Sequence, residues 1–477
     1  MKRLILAFII MFAFNTSFAN KLKTPQVLGS HMVLQRDTLV KIWGWGKPNK
    51  KITLTSSWNK KHYTSEVGED GKWLFEIETT SAGGPYNITI QSAKEKIVYE
   101  DILMGEVWLF SGQSNMFFKL EGKYGSYTYR RQEVLKRANN PQIRIFDVDN
   151  IASLTPSDTL LSKEQWQVST PNTAAKTSAI AYMFALQLQE TLNVPIGVIH
   201  SSFGGSYISS WISKENLAKY DNIKTDNLKF TRWNNDVPTA LYNAMIRPLT
   251  PYTIQGMLWY QGESDRHKPK QYISLFKDLA AQWRKEFDCN FSIFLAQIAP
   301  FGYKNDSESQ YIRESQVTIS QTIEKSGVVI TSDVGEKGNI HPHEKGPISD
   351  RFVNLALHRV YNMTAIDDQG PTYKNATTKK GRMILEFTHC NEGMVCKNGK
   401  LTNFTIAGKD KKFYPAEAKI IGWNKIAVSS DKVKRPVAVR YGWSNFFKGD
   451  IYDANKLPLS SFRTDQWDTY KDKKESK

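Results

Sequence analysis

Four loops of this 477-residue sequence carry the side chains that could do chemistry. Each loop follows a short apolar run, and together they supply a serine, two glycines, a glutamine and a histidine: Ser114, Gly204-Gly205, Gln261 and His341. A serine becomes a nucleophile when a histidine within hydrogen-bond reach takes its proton. The N–H groups of Ser114 and Gly205 and the amide of Gln261 are suitable donors to the oxyanion that forms on attack. These residue types indicate hydrolysis by a serine nucleophile.

The serine lies in a segment from Gly105 to Met116 that reads Gly-Glu-Val-Trp-Leu-Phe-Ser-Gly-Gln-Ser-Asn-Met. Its apolar run, Val107–Phe110, predicts a buried strand, and Gly112 lets the backbone turn sharply after it. In open parallel sheets ligands bind beyond the carboxyl ends of the strands, where Ser114 would stand. Met116 replaces the second glycine of the G-x-S-x-G elbow, so the α/β-hydrolase fold is not indicated.

Each candidate also has an ordinary structural interpretation. A lone histidine is more often a hydrogen-bonded structural residue, paired glycines often form a plain turn, and Gln261 could belong to a cap of the next element. Four such loops, each following a strand of one sheet, favour catalysis. His341 and His343 are two residues apart with no further ligand cluster, so we expect neither a zinc site nor a cofactor.

The hydrophobic pattern between residues 102 and 362 predicts a sheet that would bring these loops together. Short apolar runs alternate there with segments of helical period. The predicted strands are Val107–Phe110, Val194–Ile199, Ile254–Tyr260, Phe291–Ala296 and Val328–Ile330, and the predicted helices are Ser178–Glu190, Gln271–Phe287 and Pro347–Tyr361. This alternation predicts an α/β domain with a five-stranded parallel sheet covered on both faces.

The hydrophobic pattern also predicts two β modules, one before and one after this domain. Residues 20–101 show period-two alternation with turn signals at Asp70-Gly71 and Gly83-Gly84-Pro85, which predicts a small β-sandwich. Residues 363–477 return to short strands punctuated by glycine, which predicts a C-terminal β module. The last residues, Lys471 to Lys477, have mixed charge and predict a solvated, frayed tail.

The amino-terminal residues, Met1 to Ala19, have the pattern of a cleavable signal peptide. Lys2 and Arg3 precede an apolar run from Leu4 to Phe14, and Ser17-Phe18-Ala19 is a small-x-small cleavage site. The run is too short to span a bilayer, and no later segment reaches the required length. No cysteine lies near the cleavage point, which argues against a lipid anchor. We therefore expect a secreted or periplasmic protein with no integral membrane segment.

The net charge and the number of cysteines indicate which partners and disulfides to expect. The formal net charge of +17 falls to +15 without Lys2 and Arg3, but the lysines are scattered, so we expect no nucleic-acid partner. Three cysteines are too few for a disulfide framework. Cys390 and Cys396 could pair in an oxidising compartment, and we expect the remaining Cys289 to be buried.

The motifs together resemble a known family. An early serine, a glycine loop, a polar block and a late histidine in this order resemble the SGNH (GDSL-like) hydrolases. Within that superfamily the sequence is similar to the sialate O-acetylesterase family in Gly105–Met116, Gly204–Trp211, Trp259–Ser264 and Ile340–Pro342, and also in His31–Arg36 and Arg440–Asn445. The resemblance implies a flavodoxin-like SGNH sheet and hydrolysis of O-acetyl esters of sialic acid through a serine acyl-enzyme. Relatives of this type also deacetylate xylan and other glycans.

The resemblance assigns roles to individual residues. Ser114 would attack the acetyl carbonyl, His341 would act as the base, and Gly205 and Gln261 would contribute to the oxyanion hole. The family usually carries an aspartate two or three residues before the histidine, where this sequence has Gly338 and Asn339. An asparagine carbonyl can fix the histidine tautomer but cannot stabilise the imidazolium by charge.

The identity of the third catalytic residue, which would orient the His341 imidazole, therefore stays open. We predict Asn339 for this role, and Asp333 or Glu336 of the same loop are the alternatives.

Two rival functions follow from the same observations. The missing aspartate favours a glycan-binding protein that kept the fold and lost the chemistry, and the net charge suggests a polyanion binder with salt-dependent binding indifferent to Ser114. We expect an O-acetylated carbohydrate as the partner.

Overall fold

A computed structural model of the protein describes residues 21–467 apart from residues 124, 231, 233 and 305–307. The predicted signal peptide, Met1 to Ala19, and the charged tail, Lys471 to Lys477, lie outside the described residues. Along the described chain an N-terminal β region, a central α/β region and a C-terminal β region follow one another.

The N-terminal region packs two small sheets against each other. Its strands are β1 (Val33–Gln35), β2 (Leu39–Trp45), β3 (Lys51–Ser56), β4 (His62–Glu66), β5 (Lys72–Glu78), β6 (Gly83–Ser92) and β7 (Glu95–Gly112). One sheet pairs β2 with β5, and the other joins β4, β3, β6, β7 and β1. The apolar residues of the period-two pattern, such as Ile42, Ile52, Phe75 and Ile90, are buried, as expected for strands covered on one face.

The strand β7 runs from the N-terminal region into the central one without a break. Its first part pairs antiparallel with β6, and residues 106–112 pair in parallel with strands of the central sheet. The predicted boundary between residues 101 and 102 lies inside this strand. The two regions therefore share one hydrogen-bonded element.

The central sheet is formed around the second half of β7. It adds β8 (Ile143–Asp147), β9 (Gln167–Val168), β10 (Ile196–Ser202), β11 (Gly256–Tyr260), β12 (Ser292–Ala296) and β13 (Ser326–Val329), in the order β13-β12-β11-β7-β10-β8-β9. All neighbours are parallel except β8 and β9, so the sheet is mixed. Every strand predicted for this sheet is present.

The prediction of a five-stranded parallel sheet was wrong, because it missed the short antiparallel strand β9 and the parallel strand β8. Its sequence, Ile-Arg-Ile-Phe-Asp, is interrupted by Arg144 and therefore lacks a continuous apolar run. In the structure the Arg144 side chain is buried and donates to both carboxylate oxygens of Asp101, at 2.6 and 3.1 Å. A buried charge is tolerated when it is paired, and a hydrophobic pattern does not reveal such a pair.

Helices cover both faces of the central sheet. They are α1 (Ser114–Phe117), α2 (Arg131–Lys136), α3 (Pro171–Lys176), α4 (Ala179–Leu192), α5 (Lys214–Leu217), α6 (Pro269–Glu286), α7 (Ser309–Thr322) and α8 (Gly346–Arg359). The helices α4 and α8 pack with Trp108 and Phe110 on one face, and α6 and α7 pack with Leu109 and Trp259 on the other. The predicted helices correspond to α4, α6 and α8.

The C-terminal region consists of small antiparallel sheets. Its strands are β14 (Thr372–Lys379), β15 (Arg382–Thr388), β16 (Met394–Cys396), β17 (Phe404–Ala407), β18 (Phe413–Pro415), β19 (Glu417–Gly422), β20 (Lys425–Ser429), β21 (Ala438–Tyr441), β22 (Ile451–Asp453) and β23 (Phe462–Arg463). The cysteines, all of which are described, form no disulfide. Across the described residues, no helix combines the length and the apolar character needed to cross a membrane.

Candidate active site

The carboxyl ends of β7, β10 and β11 open into a cleft of about 1670 Å³. Ser114, Gly205 and His341 all line this cleft, together with Glu263 and His200. The sheet therefore brings together three of the residues selected from the sequence. The cleft is large enough for a saccharide, since ligand pockets usually span about 300–1,000 Å³.

Ser114 is the first residue of α1, directly beyond the end of β7. The turn before it requires Gly112, which has a φ of 132°. A Cβ at this position would lie 2.2 Å from the carbonyl oxygen of Tyr260 in the neighbouring strand β11. The close approach of β11 thus fixes the turn that presents Ser114 at the cleft.

His341 lies on the loop between β13 and α8 and is half-buried. Its ring packs at 6.1 Å from the Phe118 ring, measured between centroids. Burial, and then the nearby Lys345 ammonium, lower the pKa of His341 to about 4. The imidazole is therefore neutral at pH 7, which is the form that a general base requires.

His343 occupies a different environment on the same loop. Its Nδ1 lies 2.8 Å from Glu336 Oε1, and its ring stacks on Tyr129 with the centroids 5.4 Å apart. Unlike His341, it is not among the residues that line the cleft. The structure thus separates the two histidines that the sequence places side by side.

The three candidates for the third catalytic member make contacts other than with the His341 ring. The Asn339 Oδ1 accepts from the backbone N–H of His341 at 3.0 Å, and its Nδ2 donates to the carbonyl of the same residue at 2.8 Å. Glu336 pairs with His343, and Asp333 accepts from the Arg351 guanidinium at 2.7 and 2.9 Å. Asn339 therefore holds the backbone of the histidine loop, and the two acids are engaged by other residues, Glu336 by His343 and Asp333 by Arg351.

Gly205 lies in the turn after β10 with a φ of 74°. Its carbonyl accepts from the Ser264 hydroxyl at 3.1 Å, which joins this turn to the loop after β11. The neighbouring Gly204 carbonyl accepts from the Asn235 side chain. These bonds fix the glycine turn at the wall of the cleft.

The Gln261 side chain was predicted to face the cleft, but the structure places it elsewhere. It is fully buried, and its Nε2 donates to the Ser206 carbonyl at 3.0 Å and to Asp265 Oδ2 at 2.6 Å. Both amide protons are engaged, and the side chain is not among those that line the cleft. This placement does not support the predicted role of Gln261 as an oxyanion donor.

A buried chain of polar groups behind Ser114 was missed by the sequence analysis. Asn115 Oδ1 accepts from Lys345 Nζ at 2.6 Å, and Asn115 Nδ2 donates to Glu263 Oε1 at 2.7 Å and to the Ile340 carbonyl at 3.1 Å. Burial lowers the pKa of Lys345 to about 7 and raises that of Glu263. We call Lys345, Asn115 and Glu263 the buried bridge. No sequence signal marked these three residues as partners, because they come from separate elements.

A histidine–aspartate pair, also missed, lies at the β8–β10 side of the cleft. His200 Nδ1 lies 2.6 Å from Asp147 Oδ1, and its Nε2 lies 2.7 Å from the Ser202 hydroxyl. The His200 ring stacks on Phe117 of α1 with centroids 6.2 Å apart. Both ring nitrogens are thus engaged, which favours a supporting role for this pair.

The described residues hold no group of three or more histidine, cysteine or acidic side chains that could bind a metal ion. The chemistry available from the residues at the cleft is that of a hydroxyl nucleophile, a neutral imidazole and backbone N–H donors. This set suits transfer of an acyl group from an ester to water.

Comparisons with known proteins agree with this chemistry. The family described as carbohydrate esterase, sialic acid-specific acetylesterase, matches residues 104–349. The human protein named sialate O-acetylesterase is 26% identical over 458 residues, covering 88% of this chain and 87% of its own. The mouse protein of the same name is 26% identical, with coverages of 88% and 89%. The crystal structure of a carbohydrate acetylesterase from Xanthomonas citri superposes with a TM-score of 0.84 and 32% identity, covering 93% of this chain and 100% of that chain.

Proposed function

Since the chain belongs to the sialic acid-specific acetylesterase family of carbohydrate esterases, we propose that it hydrolyses O-acetyl esters of sialic acid through an acyl-enzyme on Ser114. The observation that carries this proposal is the single cleft lined by Ser114, Gly205 and His341. Acetylated xylan and other acetylated glycans are the alternative substrates. The layout of the central sheet fits the SGNH type, and the sequence of Met1 to Ala19 supports secretion or a periplasmic location.

The proposed reaction begins with a proton transfer. The neutral imidazole of His341 accepts the proton of the Ser114 hydroxyl while the oxygen attacks the acetyl carbonyl. The backbone N–H groups of Ser114 and Gly205 donate to the oxyanion. The imidazolium then protonates the departing sugar hydroxyl, which leaves an acetyl ester on the serine.

Water completes the cycle in the second half of the reaction. His341 takes a proton from the water, whose oxygen attacks the acetyl-serine carbonyl. The imidazolium then returns this proton to the Ser114 oxygen as its bond to the acetyl group breaks, which releases acetate and regenerates the serine. The neutral Asn339 and the nearby Lys345 provide no negative charge for the imidazolium. The base is therefore weaker than in a triad with a carboxylate, and we expect modest turnover.

The first test replaces the nucleophile. Ser114→Ala should fold normally, because a small side chain at a loop end is exchanged, and should lose at least about 10³-fold in kcat/KM on 4-nitrophenyl acetate and on O-acetylated sialic acid. A serine-directed organophosphate should label the wild type once, at Ser114. Turnover in Ser114→Ala near the wild-type rate, or labelling at another serine, would refute the assignment.

The alternative function is glycan binding without catalysis, and the same experiment tests it. If the protein only binds glycans, the wild type and Ser114→Ala should bind O-acetylated sialic acid equally, and neither should release acetate. Acetate detection across a panel of acetylated sialic acids, acetylxylan and other acetylated glycans identifies the substrate if release occurs.

A further inference from the structure

The chain segment after β10 carries an exposed aromatic residue, Tyr207, on the wall of the cleft that contains Ser114. Tyr207 lines this cleft and is 43% exposed. Gly205, whose N–H is proposed to donate to the oxyanion, is only two residues away. Two residues of chain span at most about 7 Å. Tyr207 therefore lies beside the place where an acetyl group would be held.

Among the described residues that line the cleft, three others are phenylalanine or tryptophan, and each is more covered than Tyr207. Trp166 is buried. Phe117 is half-buried, and its ring stacks on that of His200. Phe203 is half-buried and packs against the core. Tyr207 is thus the most accessible of these aromatic side chains to a ligand in the cleft.

The residues on either side of Tyr207 are fully buried and held by hydrogen bonds. The Ser206 carbonyl accepts from Gln261 Nε2 at 3.0 Å, and the Ile208 N–H donates to Asp265 Oδ2 at 2.9 Å. The same carboxylate oxygen accepts from Gln261 Nε2 at 2.6 Å, so the two groups that hold the chain are bonded to each other. The exposed side chain of Tyr207 therefore extends from a backbone that is fixed at both neighbouring residues.

This fixed backbone distinguishes Tyr207 from an ordinary exposed side chain. Single apolar side chains on a protein surface are common and need no function. Tyr207, however, lies in a concave site, and the buried pair of Gln261 and Asp265 that holds its neighbours has no part in the proposed reaction. A segment that is already ordered loses little conformational entropy when a ligand binds. Tyr207 therefore has the properties of a preorganised contact surface.

We propose that Tyr207 is a specificity-determining residue whose ring packs against the pyranose ring that carries the O-acetyl group. One face of a pyranose presents C–H groups, which bury apolar surface against an aromatic ring. An acetyl ester holds its carbonyl a few bonds from the sugar ring, so a sugar on Tyr207 keeps this carbonyl near Ser114 and Gly205. Sialic acid and xylose residues both offer such a ring. The inference rests on the proposed function and adds the contact that selects a sugar acetate over a small acetate ester.

The test measures binding by calorimetry in the full chain carrying Ser114→Ala, which cannot form the acyl-enzyme. The ligands are O-acetylated sialic acid and acetylated xylo-oligosaccharides, and we expect at least one to bind with a Kd on the order of 1 mM or tighter. Adding Tyr207→Ala should weaken this binding at least about tenfold, because a large apolar contact is lost. Adding Tyr207→Phe should weaken it much less, because the ring remains.

Trp423→Ala in the same background is the matched control, because Trp423 is an aromatic residue of the C-terminal region that is 63% exposed and does not line the cleft. Its Kd should stay within about twofold of that of Ser114→Ala alone. Tyr207→Gln keeps a long side chain without the ring, and it repeats the measurement if Tyr207→Ala is unstable.

A kinetic comparison in the active protein separates the sugar contact from the reacting bond. Ethyl acetate has the acetyl group but no ring that could pack on Tyr207. In Tyr207→Ala the loss of kcat/KM on ethyl acetate should therefore be at least about fivefold smaller than the loss on the acetylated saccharide. Equal losses on the two substrates would overturn the proposal.

Three binding results would also overturn it: equal affinity with and without Tyr207→Ala, a loss in Tyr207→Phe as large as in Tyr207→Ala, and a comparable loss in Trp423→Ala. No heat of binding with either saccharide up to ~10 mM overturns it as well. An inactive wild type whose binding still depends on the Tyr207 ring would refute the esterase activity and support this contact. An active esterase that is indifferent to Tyr207 would do the reverse.

Discussion

At the scale of single residues, two histidines on one loop differ in what surrounds them. His341 lines the cleft that contains Ser114 and packs beside Phe118, whereas His343 is held by Glu336 and stacks on Tyr129. Of the two histidines, only His341 lines the cleft together with Ser114. The motif Ile340-His341-Pro342 selects the same residue from the sequence alone.

His341→Ala should therefore lower kcat/KM by at least about 10³-fold, because the base is lost. His343→Ala should retain activity within about tenfold, since it removes a contact with Glu336 that supports the loop from outside the cleft. Steady-state kinetics with 4-nitrophenyl acetate measures both. Equal losses in the two variants would contradict the assignment of the base.

At the scale of elements, the buried bridge fastens three separate parts of the fold. Asn115 belongs to α1, Glu263 follows β11, and Lys345 directly precedes α8. Asn115 also donates to the carbonyl of Ile340, one residue before His341. The bridge thus sets the position of Ser114 relative to the histidine loop, and its ammonium is one cause of the low pKa of His341.

Lys345→Met should lower kcat by about 10- to 100-fold, because Asn115 loses the donor that orients it. The acid limb of the kcat/KM profile reports the proton on His341, and in the wild type activity should fall only near pH 4. Removing the ammonium raises the pKa of His341, so the acid limb should move to higher pH. A pH profile of kcat/KM measures the shift.

The double variant Glu263→Gln, Lys345→Met removes one charge of each sign and serves as the control. Its acid limb should coincide with that of Lys345→Met, because the Lys345 ammonium is the charged group that lowers the pKa of His341. An acid limb that is the same in the wild type and in Lys345→Met would show that the ammonium does not act on the base.

The elements themselves were largely predictable, because most of them carry a regular hydrophobic period. The apolar strands and the helices α4, α6 and α8 follow from this pattern. The strand β8 and the helix α7 do not, since their buried faces include Arg144 in the first, and Arg313 and Gln316 in the second. Ser114, Gly205 and His341 could be selected because each follows a strand of the parallel sheet. The bridge and the surroundings of Gln261 depend on long-range pairing, which residue types alone do not specify.

At the scale of the whole molecule, one buried arginine ties the C-terminal region to the central one. The Arg313 side chain on α7 is fully buried and donates to the carbonyls of Gly442, Ser444 and Asn445 and to the Ser461 hydroxyl. Burial lowers its pKa to about 9, yet it remains protonated at pH 7. The Gly442 and Asn445 carbonyls also accept from the backbone N–H groups of Ser444 and Phe301, at 3.0 and 3.2 Å.

Arg313→Met should lower the free energy of unfolding by about 3 kcal/mol, because buried carbonyls lose charge-assisted hydrogen bonds. Urea denaturation followed by tryptophan fluorescence measures the change. Arg382→Met, at an exposed position of β15, should stay within about 0.5 kcal/mol of wild type. A loss in Arg313→Met no larger than in Arg382→Met would mean that the interface is held by other contacts.

The continuity of β7 bears on how such a protein can be cut and recombined. A module that recombination exchanges freely is joined by a linker, where few contacts cross the junction. Here the junction lies in the middle of the strand β7. Recombination between residues 101 and 102 would therefore join two halves of one strand that come from different parent proteins. Any hybrid must reproduce the register of β7 with β6 and β1 on one side and with β10 and β11 on the other. We therefore expect the sandwich and the central region to be exchanged together and not separately in hybrids that fold.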